Sequence, residues 1–362
     1  MIYLAVFSSA IFALYQAEKY ENTNWYKILW IIISMTIPTL LAALRDMTIG
    51  TDIYTYMLPA YNLARNNNLY SFIILSKEEI LYDLTVFFVT KLFGNFQMVL
   101  GITQLLVLIP IYIVIWNNRK KISIVCSSAV FYFVFYCNSY NTIRQNIAMA
   151  FMLLATYFLQ KEKKWYCIIS FMVAFGFHKS AIIGIVIFII YILINNNLKK
   201  WFYYPIAAAS IIGVAFYDKI VVFMYRFMPF LPRRYISSRF LYRGEINWPI
   251  TDTVLMMVVL SISLAFIFLN RGEKDYFLAM MGFMAFCGLW MGNVSVAMDR
   301  LFWYFKIFII LILPQGIIFF KKNQINRIIY SCLLIFFLSG YWVVYYGILG
   351  NAEVYPYRFF WI

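Results

Sequence analysis

Apolar runs of about 15 to 21 residues recur along the whole chain and are separated by short polar turns. A helix needs roughly 20 apolar residues to cross a bilayer, so each run predicts a membrane-spanning helix. The predicted spans are residues 2–16, 28–44, 96–116, 122–137, 141–160, 165–178, 181–194, 201–217, 251–269, 276–292, 301–320 and 328–348. The pattern predicts an all-α polytopic membrane protein with about 12 transmembrane helices. The apolar stretch 80–93 differs, being fourteen residues long and carrying Asp83 and Lys91. It predicts a short re-entrant or interfacial helix on the outer side. No internal repeat divides the chain, so residues 1–362 read as a single integral membrane domain. The long outer segments 45–95 and 218–250 are expected to form part of its site.

Composition strengthens the membrane reading, because 64% of residues are hydrophobic and only 12% charged, against roughly 25% charged in soluble domains. The abundance of Phe and Tyr is shared with Ile, Asn and Lys, the signature of a nucleotide-biased genome, and is not taken as aromatic recognition. The first fifteen residues lack a basic start and a small-residue cleavage site, so a first span is expected there rather than a removable signal peptide. Cys126, Cys137, Cys167, Cys287 and Cys332 fall inside or at the ends of apolar runs without C-x-x-C spacing. They suggest neither a disulfide framework nor a zinc site.

Charge supplies the topology. Lys-rich turns recur at every second connection: Lys19 and Lys27; Arg119, Lys120 and Lys121; Lys161, Lys163 and Lys164; Lys199 and Lys200; Arg271 and Lys274; Lys321, Lys322 and Arg327. Basic residues in short loops are retained in the cytoplasm, which makes these connections cytoplasmic and both chain ends external. These turns hold twelve Lys and three Arg, and the rest of the chain five Lys and ten Arg. A topogenic rule does not separate the two residue types, whereas a phosphate-gripping site does, because guanidinium offers oxyanions a planar, permanently charged fork. The net charge of +15 therefore has a topogenic source and a functional one. Nucleic acid is a poor partner for basic residues spread over both membrane faces.

Ionisable residues at membrane depth are costly and mark function by default. Five places stand out. In Leu44–Tyr56, Gly50 permits a tight turn, Arg45 is placed to clamp a phosphate, Asp52 to bind a sugar hydroxyl or act as a base, and Tyr56 to line the site. The plainer account has Arg45 snorkelling from a helix end with Asp46 beside it. Glu78, Glu79 and Asp83 open the short outer helix, where carboxylates also complement the macrodipole. Asn141, Arg144, Gln145 and Asn146 crowd the start of an otherwise apolar span, which packing alone gives little reason for; Arg144 is the strongest single candidate. His178, the only histidine, lies in a tight outer hairpin with Lys179 and Ser180, and a lone His is often only a satisfied structural group. Arg300 and Tyr304 lie one helical turn apart at the start of a late span, where Asp299 offers Arg300 a structural partner. Apart from these five, the outer segment Tyr225–Arg243 interleaves aromatics with Arg226, Arg233, Arg234 and Arg239, a strip suited to lipid headgroups or to a phosphate-bearing glycan.

The ordered set Leu-Arg-Asp-x-x-Ile-Gly-Thr-Asp-x-x-x-Tyr (44–56), Glu79 with Leu81 and Tyr82, Asn-x-x-Arg-Gln-x-Ile-Ala (141–148), Phe-His-x-Ser-Ala (177–181) and Asp-Arg-x-x-x-Tyr (299–304) resembles the EpsG-like branch of the Wzy-type polysaccharide polymerases. The resemblance implies a GT-C-like all-helical fold in a bacterial cytoplasmic membrane, with the active site facing outward. It further implies glycan donor and acceptor units linked to undecaprenyl pyrophosphate, joined into capsule, O-antigen or exopolysaccharide. Membrane lipid and a chain-length regulator are the other expected partners, and no cofactor is expected.

The residues fit that chemistry on their own terms. A sugar carried on a lipid diphosphate already has a good leaving group, which needs charge stabilisation more than a proton, a task suited to Arg144, Arg300 and Arg45. The acceptor hydroxyl must lose a proton as it attacks, to His178, Asp52 or Glu79. Histidine ranks first because imidazole as a class titrates near neutral pH. The acid-x-acid pair Glu273 and Asp275 falls on the predicted cytoplasmic side, so a metal-independent transfer is expected. The alternatives are a transporter or flippase of lipid-linked sugars, in which the same arginines hold diphosphate without bond cleavage, an O-antigen-ligase-type transferase, and a membrane O-acyltransferase.

Overall fold

The computed structural model describes residues 1–76, 78–195, 219, 250–268, 273–294, 296–320 and 324–361. Among these the chain is helical, and its only extended pairing is an isolated bridge between Arg45 and Phe359. It packs as two compact units, Met1–Ile182 with Leu313–Ile362, and Ile183–Ile312.

The first unit contains α1 (Ile2–Lys19), α2 (Asn24–Ala43), α3 (Leu58–Asn66), α4 (Leu69–Ser76), α5 (Ile80–Phe93), α6 (Phe96–Asn118), α7 (Ile124–Val130), α8 (Ile143–Gln160) and α9 (Lys164–Phe177). The second contains α10 (Gly184–Asn195), α11 (Ile250–Phe268), α12 (Glu273–Val294) and α13 (Val296–Lys306). The chain then passes through α14 (Ile309–Gln315) to α15 (Gln324–Trp342), which closes the first unit. Helix ends are set locally. Asn95 accepts the Gln97 N–H at 2.8 Å to start α6, Ser123 accepts the Cys126 N–H to start α7, and Gly94 takes the left-handed conformation that stops α5.

Eleven of the twelve predicted spans coincide with helices. Span 201–217 lies outside the described residues, as does nearly all of 218–250, including Arg233 and Arg234. Among the described residues, four helices are long and apolar enough to cross a membrane: α2, α6, α11, and α15 with its continuation to Ile348. The other apolar helices are shorter, so the count of twelve rests on the sequence alone. The stretch 80–93 is helical as expected and packs on α3, α6 and α9.

Helix direction gives the first unit two chemically different ends. Arg119 Nε meets Glu21 Oε2 at 3.0 Å, bringing the turn after α1 to the turn after α6. At the other end Tyr3 donates to the Val354 carbonyl at 2.8 Å, and the Asp46 N–H donates to the Arg358 carbonyl at 2.9 Å. Running along the 18-residue α8, Arg144 and Lys161 are separated by about 26 Å at 1.5 Å per residue. The lysine-rich turns and the Arg45–Arg144–His178 region thus occupy opposite helix ends within this unit.

Between the ends lies an aromatic core. Tyr3, Phe7, Tyr132, Tyr136 and Tyr140 are all fully buried. Their hydroxyls are satisfied inside the bundle: Tyr112 and Tyr132 share a 2.6 Å contact, and Tyr136 bonds to the Pro38 carbonyl. Buried this deeply, an unpaired hydroxyl would be costly, and tyrosine tolerates such burial with partners of this kind.

Candidate functional site

The site begins with a turn that the sequence shapes and a helix start that it caps. Gly50 has φ +95°, and a Cβ there would lie 2.6 Å from the Tyr140 carbonyl oxygen, so the turn is tied to glycine by conformation and by space. The close approach lets Asn141 Oδ1 accept the Thr51 N–H at 3.1 Å and Asp52 Oδ2 accept the Ile143 N–H at 3.0 Å. Asp52 thereby caps α8 from a distant segment, satisfying an N–H that no preceding turn can. The next residue is Arg144, so the cap fixes the root of that side chain.

Arg144 enters a polar cluster. Its guanidinium lies over the Tyr56 ring at 4.2 Å and the Tyr82 ring at 5.5 Å. Its Nη1 meets Glu79 Oε2 at 2.6 Å and also contacts Glu78 Oε2. The other oxygen of Glu79 meets His178 Nδ1 at 2.8 Å. One carboxylate therefore joins the cation of α8 to the imidazole at the end of α9. Gly176 makes this possible, since a Cβ there would fall 2.6 Å from Leu81 Cδ1, and its absence lets α9 close on α5.

Glu79 is held as an anion. Burial opposes its ionisation, but the hydrogen bond with His178 and the charge of Arg144 outweigh burial and draw its carboxyl down to about 2. Asp83, one turn along α5, is the opposite case. Burial pushes it up to about 6, against a 2.5 Å hydrogen bond from Ser76 and with repulsion from Glu78 adding to the rise. Two carboxyls on one helix face thus have pKa values driven apart by their surroundings, a pattern found where acid–base chemistry is done.

The geometry sorts the expected residues. Arg144, Glu79, His178 and Tyr56 converge, and Asp52 and Asn141 tie the turn at Gly50 to the start of α8. Gln145 is buried inside α8, and Ser180 is half-buried two residues past His178. Arg45 departs from its expected role as a phosphate clamp. It is 1% exposed, lies 3.9 Å over the Tyr140 ring and donates to the Ala42 carbonyl at 2.8 Å, beneath the C-terminal strap formed by residues 354–361. A guanidinium sealed in this way cannot reach a ligand in this conformation; it ties the end of α2 to the Tyr140 ring.

The sequence model of the EpsG family matches residues 28–359. The chain belongs to the EpsG family. Every group of the Arg144 cluster lies inside the matched stretch, and the EpsG family is one of Wzy-type polysaccharide polymerase-like proteins. The chain is accordingly a polysaccharide polymerase-like membrane protein of glycosyltransferase-like type. No curated protein and no solved structure matches it.

Within the second unit of this EpsG chain, Arg300 is exposed on α13 while Tyr304 is fully buried. Asp299 accepts from the Trp303 indole at 3.2 Å. The sequence reading missed three things. Glu78 and Tyr82 were given no part in binding, although Tyr82 stands one helical turn from Glu79. The buried pair Lys306–Asp252, 2.9 Å apart with Lys306 over the Trp303 ring, was also missed. An ionisable residue in each of two apolar runs was the available signal.

Proposed function

We propose that this EpsG-family protein joins lipid-diphosphate-linked oligosaccharide units into a surface polysaccharide, on the outer face of the cytoplasmic membrane. The observation that carries the reading is the Glu79 carboxylate bridging His178 and Arg144. With Nδ1 committed to Glu79, the ring nitrogen that can take up a proton is Nε2, and the charged carboxylate stabilises the imidazolium that results. This is the base-and-orienter arrangement used to activate hydroxyl nucleophiles.

In the proposed reaction His178 Nε2 removes the proton from the acceptor hydroxyl as its oxygen attacks the anomeric carbon. The bond from that carbon to the diphosphate oxygen breaks, and the lipid diphosphate leaves as an anion. Arg144 faces that anion, and its two carboxylate partners hold its fork in place until the more highly charged diphosphate arrives. Tyr56 and Tyr82 give the guanidinium flat apolar walls that exclude water and strengthen the charge interaction. Asp83, close to half-protonated near pH 6, is the second acid–base group within reach of the cluster.

The test is chemical. Purified protein supplied only with lipid-linked repeat units should produce a ladder of oligomers, and a ligase-type transferase would leave single units. In cells, Arg144→Ala should still expose single repeat units outside; units trapped inside would instead identify a flippase.

A further inference from the structure

At the lysine-rich end of the first unit lies a cleft of about 520 Å³ with two chemically distinct halves. Its mouth carries Arg119, Lys120, Lys121 and Arg327, with Glu18 as the one acidic residue of the lining. Arg119 is already fixed, paired with Glu21 and lying 4.6 Å over the Trp116 ring. Lys120, Lys121 and Arg327 are exposed. The wall is apolar: Ile328 and Ile335 stand seven residues apart, two turns of one α15 face, and run inward from Arg327. At 1.5 Å per residue that stripe extends roughly 12 Å from the cationic mouth.

We propose that this cleft binds one anionic phospholipid, with its phosphate held by Lys120, Lys121 and Arg327 and an acyl chain laid along Ile328 and Ile335. A soluble anion would use the mouth and leave the apolar stripe empty. A zwitterionic lipid would bring an ammonium group among cations. An anionic phospholipid alone complements both halves, and the excess of positive charge at a membrane surface draws it there. The cleft sits at the far end of α7 from Tyr140, so this lipid belongs to the leaflet opposite the Arg144 cluster. The inference stands whether or not the transfer reaction above is correct.

Cys332 lines the cleft and is exposed, whereas Cys126, Cys137, Cys167 and Cys287 are buried, so it reports occupancy. The full chain would be placed in nanodiscs of phosphatidylcholine with or without phosphatidylglycerol, and alkylation by N-ethylmaleimide timed, with Cys332→Ser as the blank. Phosphatidylglycerol should slow alkylation on the order of tenfold. K120Q/R327Q should abolish that protection, while K163Q/K164Q, at another lysine-rich turn, should keep it. Equal protection by phosphatidylcholine alone overturns the proposal, and so does equal loss in K163Q/K164Q. Protection by inorganic phosphate in lipid-free detergent would also overturn it, in favour of a soluble-anion site. The wild-type comparison between the two lipids needs no variant and stands even if a variant misfolds.

Discussion

At the scale of single residues, the proposed transfer depends on a carboxylate that orients and balances its neighbours without itself reacting. Glu79→Gln keeps the shape but removes the charge that orients His178 and balances Arg144, so it should lower kcat on the order of 10²- to 10⁴-fold with KM little changed, as read from oligomer ladders. Arg144→Lys keeps the charge but loses the planar fork and the stacking on Tyr56; it should recover little of the activity lost in Arg144→Ala. Asp83 gives a pH test. Its carboxyl is raised from 3.8 to about 6, so the folded state binds its proton more tightly than the unfolded chain, and stability contributed by this group falls as pH rises from 3.8 through about 6. Asp83→Asn cannot ionise. Its melting temperature in detergent should gain on the wild type across that window and hold a constant lead above it. A lead that stays flat from about pH 4 to about pH 8 would show that Asp83 titrates normally.

At the scale of elements, two glycines and one ion pair decide how helices meet. Gly50→Ala forces a Cβ into the Tyr140 carbonyl at a positive φ, and should cost about 1–3 kcal/mol of stability. It should also reduce polymerisation, because the same turn supplies Asp52 to the start of α8. In the second unit, Lys306→Met removes the cation 2.9 Å from the buried Asp252 carboxylate and should cost about 3–5 kcal/mol by thermal denaturation in detergent. Replacing both residues by apolar ones should recover most of that loss. The helices themselves were legible, since apolar run length marks them directly and α5 was singled out by its fourteen residues with Asp83 and Lys91 inside. Which residues play which part was less so. Asp52 reads in the sequence as a base or a sugar ligand, and only the fold shows it capping a helix 91 positions away. Arg45 reads as a clamp because sequence cannot reveal that Tyr140 and the C-terminal segment close over it.

At the scale of the whole molecule, the alternation of lysine-rich turns was the most informative signal. In the first unit it corresponds to a physical separation, with Arg119, Lys120, Lys121 and Arg327 around one cleft and Arg144 with His178 at the other helix ends. Long-range pairing between Glu79 and two residues 65 and 99 positions away could not be read from spacing, because no local periodicity links segments so distant. The proposed transfer draws on arginine, histidine and carboxylates of the chain itself, so polymerisation should be undiminished in excess EDTA; strict dependence on added Mg²⁺ would contradict it. The C-terminal strap bears on how such a protein comes into being. Tyr3 bonds to Val354, the Asp46 N–H to Arg358, and the Phe360 N–H to the Leu44 carbonyl, so the earliest helices are fastened by residues translated more than three hundred codons later. A nascent chain can thread its first helices into the bilayer long before that fastening exists, but it cannot close the segment that pairs with the backbone of Arg45. A ribosome that stalls short of residue 354 should leave an inserted protein whose first helices lack this fastening and whose melting temperature in detergent is lowered.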